Sequence, residues 1–258
     1  MGEADAGKTA SPEFFARSRL EEVRATLGPV VHLDLSAHQT SHSHNLLGQE
    51  VAGQVSAYIR RRVLPLGQDR LESELLSARR GEAECRHRLA YGRLPAAVRE
   101  GLEAYLSSVD AWSEGARLGD LVRQTMTHLK VDRTPVRPQD LAFLLQAESS
   151  GCQTGMLRDR DGGVLLWHTE EDHDSAAGSR FDRLRLVTCA ASPDSPSRRM
   201  TAFIYPDLLP GPAFGWSGRS YVHAVDAFYL KQGAGVGGVP ANAVTWICLY
   251  LGGLLAPS

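Results

Sequence analysis

The chain has 258 residues, 22% charged and 43% hydrophobic, and its 28 basic and 30 acidic side chains leave a formal net charge of −2. This is the balance of a globular protein, and it lacks the basic patch that a nucleic-acid partner requires. The most apolar stretch, residues 244–256, is too short for a bilayer and carries Gly252 and Gly253, while residues 1–11 lack a secretory pattern, so the expectation is a cytoplasmic protein with no membrane partner.

Residues 1–148 read as a helical region. Apolar residues recur at helical spacing in five sets. These are Phe14, Phe15, Leu20, Val23 and Leu27; then Leu47, Val51, Val55, Tyr58, Ile59 and Val63; then Leu71, Leu75 and Leu76; then Val98, Leu102, Tyr105, Leu106 and Val109; then Leu118, Leu121, Val122, Met126 and Leu129. Pro29, Pro65, Pro95, Pro135 and Pro138 fall between the apolar faces, where helix punctuation belongs. Between the first two sets lie His32, His38, His42 and His44, with Asp34 nearby. Four imidazoles and a carboxylate invite a zinc reading, but the segment has no HExxH pattern and no cysteine partner. It is read as a polar loop between helices, with no metal and no cofactor.

Residues 149–258 read as β-rich. Val164, Leu165 and Leu166 follow the turn Asp161-Gly162-Gly163 and make a hairpin with the segment before it. Leu184, Leu186 and Thr188 alternate with other residues, and residues 200–205 form a β-prone run. Residues 233–238 are glycine-rich but lack the strand, helix and acidic residue of a dinucleotide loop, so they read as a flexible loop. A helical front followed by a sheet-rich back is an α+β organisation with its boundary near residue 149.

Four cysteines, Cys85, Cys152, Cys189 and Cys248, are scattered without a CxxC pair, and reduced thiols are expected. Cys152 stands out for its neighbours. Gly151 precedes it, a hairpin follows it, and the hairpin ends in the acidic run Glu170, Glu171 and Asp172. A thiol becomes a useful nucleophile when a base lies within hydrogen-bond reach, and a free α-amine on the same residue supplies one once the preceding bond is cut. Glycine before the cysteine permits the backbone geometry that an N-to-S acyl shift needs. At the end of the second strand, Glu171 would return beside Cys152. A register slip of one residue would put Glu170 there instead.

These residues resemble the junction of the penicillin acyltransferase-like family of N-terminal-nucleophile (Ntn) hydrolases, in which a Gly-Cys bond is cut autocatalytically. Gly151-Cys152-Gln153-Thr154 is similar to the family's Gly-Cys-Thr, and Trp167-His168-Thr169-Glu170-Glu171 stands where the family has Gly-x-Asn-x-Asp. Gly215-Trp216-Ser217, Ala224-Val225-Asp226-Ala227-Phe228 and Gly238-Val239-Pro240 resemble three later family landmarks in the same order. The resemblance covers about residues 140–251. It departs from the family in lacking the asparagine near Thr169, in Ser217 standing for asparagine, and in Asp226 standing for asparagine.

The resemblance implies an Ntn-hydrolase-like αββα sheet region behind a helical precursor-like region. It implies a cysteine amidohydrolase or acyltransferase with Cys152 as nucleophile, Gly151 at the cut, and Glu171 or Glu170 as the orienting carboxylate. Thr169, Trp216, Ser217 and Asp226 would line the site for a small-molecule acyl substrate. Family members continue past Gly-Val-Pro with further strands and an oxyanion-hole asparagine, so the sheet region here is expected to be incomplete, its open edge covered by homo-oligomer formation or by the helical half. The competing expectation is a non-catalytic homologue or assembly partner retaining part of that fold.

Overall fold

Apolar residues three and four apart give each helix one stripe to bury, and the first half of the chain folds by that rule. The structure, a computed structural model, describes residues 31–34, 40–147, 151–158, 160–171, 185–190, 199–205, 209, 214–217 and 222–224. The first apolar set of the sequence, residues 233–238, Asp226 and the segment from Pro240 onward lie outside the described residues.

Helix α1 (Thr40–Tyr58) buries Leu47, Val51, Val55 and Tyr58. It runs into a π turn (Ile59–Val63) that keeps Ile59 and Val63 inside, then a 3-10 turn at Pro65 stops it. Helix α2 (Gln68–Tyr91) buries Leu71, Leu75, Ala78 and Cys85. Helix α3 (Ala96–Gly115) follows Pro95 and buries Leu102, Tyr105, Leu106, Val109 and Trp112. Helix α4 (Leu118–Thr125) follows Arg117, whose φ of 59° marks a left-handed linker. Helix α5 (Pro138–Ala147) opens with proline at its first position, where the missing N–H costs nothing.

Helices α1 and α3 touch backbone to backbone. A Cβ on Gly48 would overlap the Trp112 carbonyl, and one on Gly115 would overlap the Asn45 carbonyl. Asn45 Nδ2 donates to the Ala111 carbonyl at 3.2 Å across this crossing, and the Ser41 and Ser107 hydroxyls meet at 2.6 Å. The glycines thus set the helix separation, and the short polar side chains satisfy one another beside them.

An ion-pair cluster ties α2 to α5. Asp140, fully buried in the first turn of α5, accepts the Arg137 backbone N–H at 2.8 Å, closing the helix start as a capping carboxylate does. The same carboxylate accepts from the guanidinium groups of Arg79 (3.0 Å from Nε) and Arg137 (3.0 Å from Nε, 2.6 Å from the terminal nitrogen). Arg79 continues to the Val131 carbonyl at 2.6 Å and the Pro135 carbonyl at 3.1 Å, and Arg137 reaches the buried Glu82 at 2.6 Å. Arg79 therefore pins the small hairpin of β2 (Lys130–Val131) and β3 (Thr134–Pro135). Its turn residues Asp132 and Arg133 both have positive φ, as a two-residue I′ turn demands.

The remaining described strands make two sheets. Strands β1 (Val31–Asp34), β6 (Arg185–Ala190), β7 (Arg199–Ile204), β8 (Phe214–Ser217) and β9 (Val222–Ala224) form one sheet in the order β1-β6-β7-β8-β9. Only the β1–β6 pair is parallel. Strands β4 (Gly151–Arg158) and β5 (Val164–Glu171) form a separate antiparallel hairpin. The described part is thus α+β, mainly helical with small sheets. The helical core extends to Val187 of β6, Ile204 of β7 and Leu209, whose N–H donates to Gln146 Oε1 at 3.0 Å.

The loop reading of the histidine run is corrected at three of its four histidines, His38 lying outside the described residues. His32 and Asp34 lie in β1, and His42 and His44 lie in the first turns of α1, with His44 buried. Pairing with β6 supplies β1 with partners that its own polar sequence does not announce. Pro138 also opens a helix, α5, rather than only separating two.

Candidate active site

The hairpin that carries Cys152 forms because its turn is glycine-built. Gly162 has a φ of 86°, a left-handed conformation that glycine adopts without steric cost, and Val164 starts the return strand two residues later. The register follows: Cys152 pairs with Glu170, Gly151 with Glu171, Gln153 with Thr169, Thr154 with His168 and Gly155 with Trp167. Directly opposed residues of an antiparallel pair share one face of the ladder, with Cβ atoms about 4.5–5.5 Å apart. Glu170 therefore holds the position across from Cys152, and Glu171 the position across from Gly151. The alternating period of two puts Cys152, Thr154, His168 and Glu170 on one face.

One side-chain contact fixes that face. Thr154 Oγ1 and His168 Nδ1 lie 2.8 Å apart, and both residues are half-buried. The opposite face carries Gly155 under Trp167, where a Cβ on the glycine would run into the indole ring. Toward the turn the hairpin is apolar on both faces. Met156 is 70% exposed, Leu157 60%, Val164 62% and Leu165 62%, a load of apolar surface that a hairpin in a protein interior would bury.

The expected lining residues divide between the two sheets. Thr169 is in β5 opposite Gln153, whereas Trp216 and Ser217 are in β8, paired with Thr201 and Met200. The Trp216 ring lies 6.1 Å from that of Phe203, tilted 56°. No strand ladder joins the hairpin to the sheet of β8 among the described residues.

Cys85 offers the contrasting thiol. Burial first, with the charge of Glu84 next, pushes it up to about 11, so it is inert as a nucleophile at neutral pH. Sequence reasoning missed the Arg79–Asp140–Arg137–Glu82 cluster, but its carboxylates are filled by internal donors and hold α2, α5 and the β2–β3 hairpin together. Among the described residues, no group of three or more His, Cys, Asp or Glu side chains is placed to hold a metal ion. No helix among them is long and apolar enough to cross a membrane.

Set against family models, curated proteins and solved structures, the chain matches none of them.

Proposed function

We propose that this chain is a cysteine amidohydrolase or acyltransferase of the Ntn type, working through an acyl-thioester on Cys152 after self-cleavage at Gly151–Cys152. The observation that carries the reading is the hairpin register, which sets a carboxylate position, Glu170, directly across from Cys152 and a second, Glu171, across from the residue at the cut. In the reaction, the α-amine freed on Cys152 accepts the thiol proton while sulfur attacks the carbonyl of a small acylated amine or amino-acid-derived substrate. The C–S bond forms, the C–N bond breaks, and the amine passes its proton to the leaving nitrogen. Water or a second amine then takes the acyl group from sulfur. Glu170 orients the α-amine of Cys152, and Thr169, Trp216, Ser217 and Asp226 belong to the substrate side of the site. The protein works in the cytoplasm on this reading, and the fold would be of the αββα kind.

A second reading has its own observation. The hairpin pairs with no other strand among the described residues and exposes apolar side chains on both faces, which suits an assembly partner that retains part of the fold without its activity.

Denaturing mass spectrometry of the purified chain separates the two. The enzyme reading expects a break before Cys152, and expects Cys152→Ala to abolish both the break and labelling by a thiol-reactive acyl probe, with Cys189→Ala behaving as the parent. An uncut chain whose two cysteine variants label equally would overturn it.

A further inference from the structure

We propose that His168, held by Thr154, is the base that takes the Cys152 thiol proton while the chain is still intact. The inference rests on the nucleophile reading above and assigns the proton acceptor for its first step. Before cleavage the nitrogen of Cys152 is an amide and accepts no proton, so the self-cleaving thiol needs a base from elsewhere in the chain.

The hairpin supplies one candidate by position. His168 stands diagonally from Cys152 on the shared face, one ladder step along β5 from Glu170. Diagonal neighbours in an antiparallel pair lie about 7–8 Å apart, within reach of a long or aromatic side chain. The Thr154 contact gives the imidazole a defined posture. The 2.8 Å contact admits either direction; we assign the tautomer in which Nδ1–H donates to Thr154 Oγ1, which leaves the lone pair on Nε2, as a base requires. The other titratable position next to it on this face is Glu170, and Arg158 stands at the far end of β4 beyond Met156.

The step balances. Sulfur gives its proton to His168 Nε2 and attacks the Gly151 carbonyl carbon; a C–S bond forms as the Gly151–Cys152 C–N bond breaks, and the imidazolium delivers its proton to the departing α-nitrogen. Water then cleaves the thioester, leaving a carboxylate on Gly151 and a thiol on an N-terminal Cys152. From there the free α-amine takes over as base.

The experiment reads the thiol before any cut. The full-length protein is alkylated with iodoacetamide from pH 5.5 to 10, and tryptic peptides that still span the Gly151–Cys152 bond are quantified. An unassisted thiol with a pKa of about 8.5 is only about 1% thiolate at pH 6.5. His168→Gln is therefore expected to slow labelling of the spanning peptide by about tenfold or more at pH 6.5 while changing little at pH 9.5. Thr154→Val should lose part of the same low-pH rate, and Thr154→Ser should restore it. Cys85 serves as the unreactive control in every sample.

Superimposed profiles for the parent and His168→Gln overturn the proposal, as do equal profiles for Thr154→Val and Thr154→Ser. Should His168→Gln lose its helical circular dichroism, the threonine pair alone decides. Absence of an acyl-thioester in the parent protein defeats the wider function, and is read in a separate measurement from these profiles.

Discussion

The helical body and the Cys152 hairpin solve opposite problems. In the body, charge goes inside only with its partners: Asp140 is fully buried yet meets Arg79 and Arg137, and Glu82 is closed by Arg137 and by Arg86 at 2.8 Å. In the hairpin, apolar side chains stand outside on both faces, while its open end gathers cysteine, histidine, threonine and glutamate at neighbouring register positions. The same contrast holds for the two thiols. Cys85 is a core hydrophobe, whereas Cys152 stands at the end of β4 far from the turn, with the register positions of His168 and Glu170 on its face of the ladder. Burial with internal pairing accounts for the buried charges of the first region, and on the proposed readings chemistry or a covering partner accounts for the second.

The largest expected effect tests the closed side of that contrast. Asp140→Ala strips the buried carboxylate from two guanidinium groups, and removing one partner of a buried pair typically costs about 3–5 kcal/mol. Urea melts followed by helical circular dichroism measure it; a loss below about 1 kcal/mol would mean the cluster is open to water. The pH dependence has a defined sign. Burial alone would raise the Asp140 carboxyl, but the hydrogen bonds from Arg79 and Arg137 outweigh it and hold the group below its ordinary range. Its stabilisation is therefore present above the unfolded carboxylate value of about 3.9 and is lost as pH falls through the lower folded value. Asp140→Asn should flatten that acid limb of the stability curve.

Gly115→Ala comes next. The added Cβ meets the Asn45 carbonyl, a backbone atom that cannot swing aside, so α1 and α3 must separate. Overpacking of this kind costs about 1–3 kcal/mol, read as a lowered urea midpoint with an unchanged slope. A variant as stable as the parent would show that the crossing is not glycine-limited.

Legibility in the sequence divides along the same line. Helices α1 to α4 announce themselves because each buries one stripe, and Leu47 through Val63 is buried at every position the spacing picked. Helix α5 does not, because residues 141–145 are buried all round and an unbroken apolar run has no period to read. The start of α1 was hidden by its serines and histidines, which favour turns unless tertiary contacts take them up. The cluster around Asp140 joins residues 61 positions apart, and nothing local marks such a pair. For the hairpin, the turn at Asp161-Gly162-Gly163 was readable but the register was not. A one-residue slip exchanges Glu170 for Glu171, and the Thr154–His168 contact exists only in the register the ladder adopts.

The smallest expected effect brings the two regions under one substitution. Gly155→Ala adds the same methyl group as Gly115→Ala, but what it meets is the Trp167 indole rather than backbone. Gly155 has no left-handed φ, so alanine is allowed there and removes some freedom from the unfolded chain, a gain of about 0.4–1 kcal/mol. Against that stands the lost cover of the ring over the glycine. Trp167 is already 41% exposed, so a tilt just large enough to clear the methyl group forfeits only part of its remaining cover. The two terms nearly cancel, and stability should change by less than about 1 kcal/mol. The ring's surroundings should change more than the stability does. Acrylamide quenching of Trp167, taken as the difference between each protein and its Trp167→Phe counterpart, is expected to rise in Gly155→Ala. A midpoint loss as large as that of Gly115→Ala would instead mean that the hairpin is packed as tightly as the helical body, and the contrast between the two regions would fail.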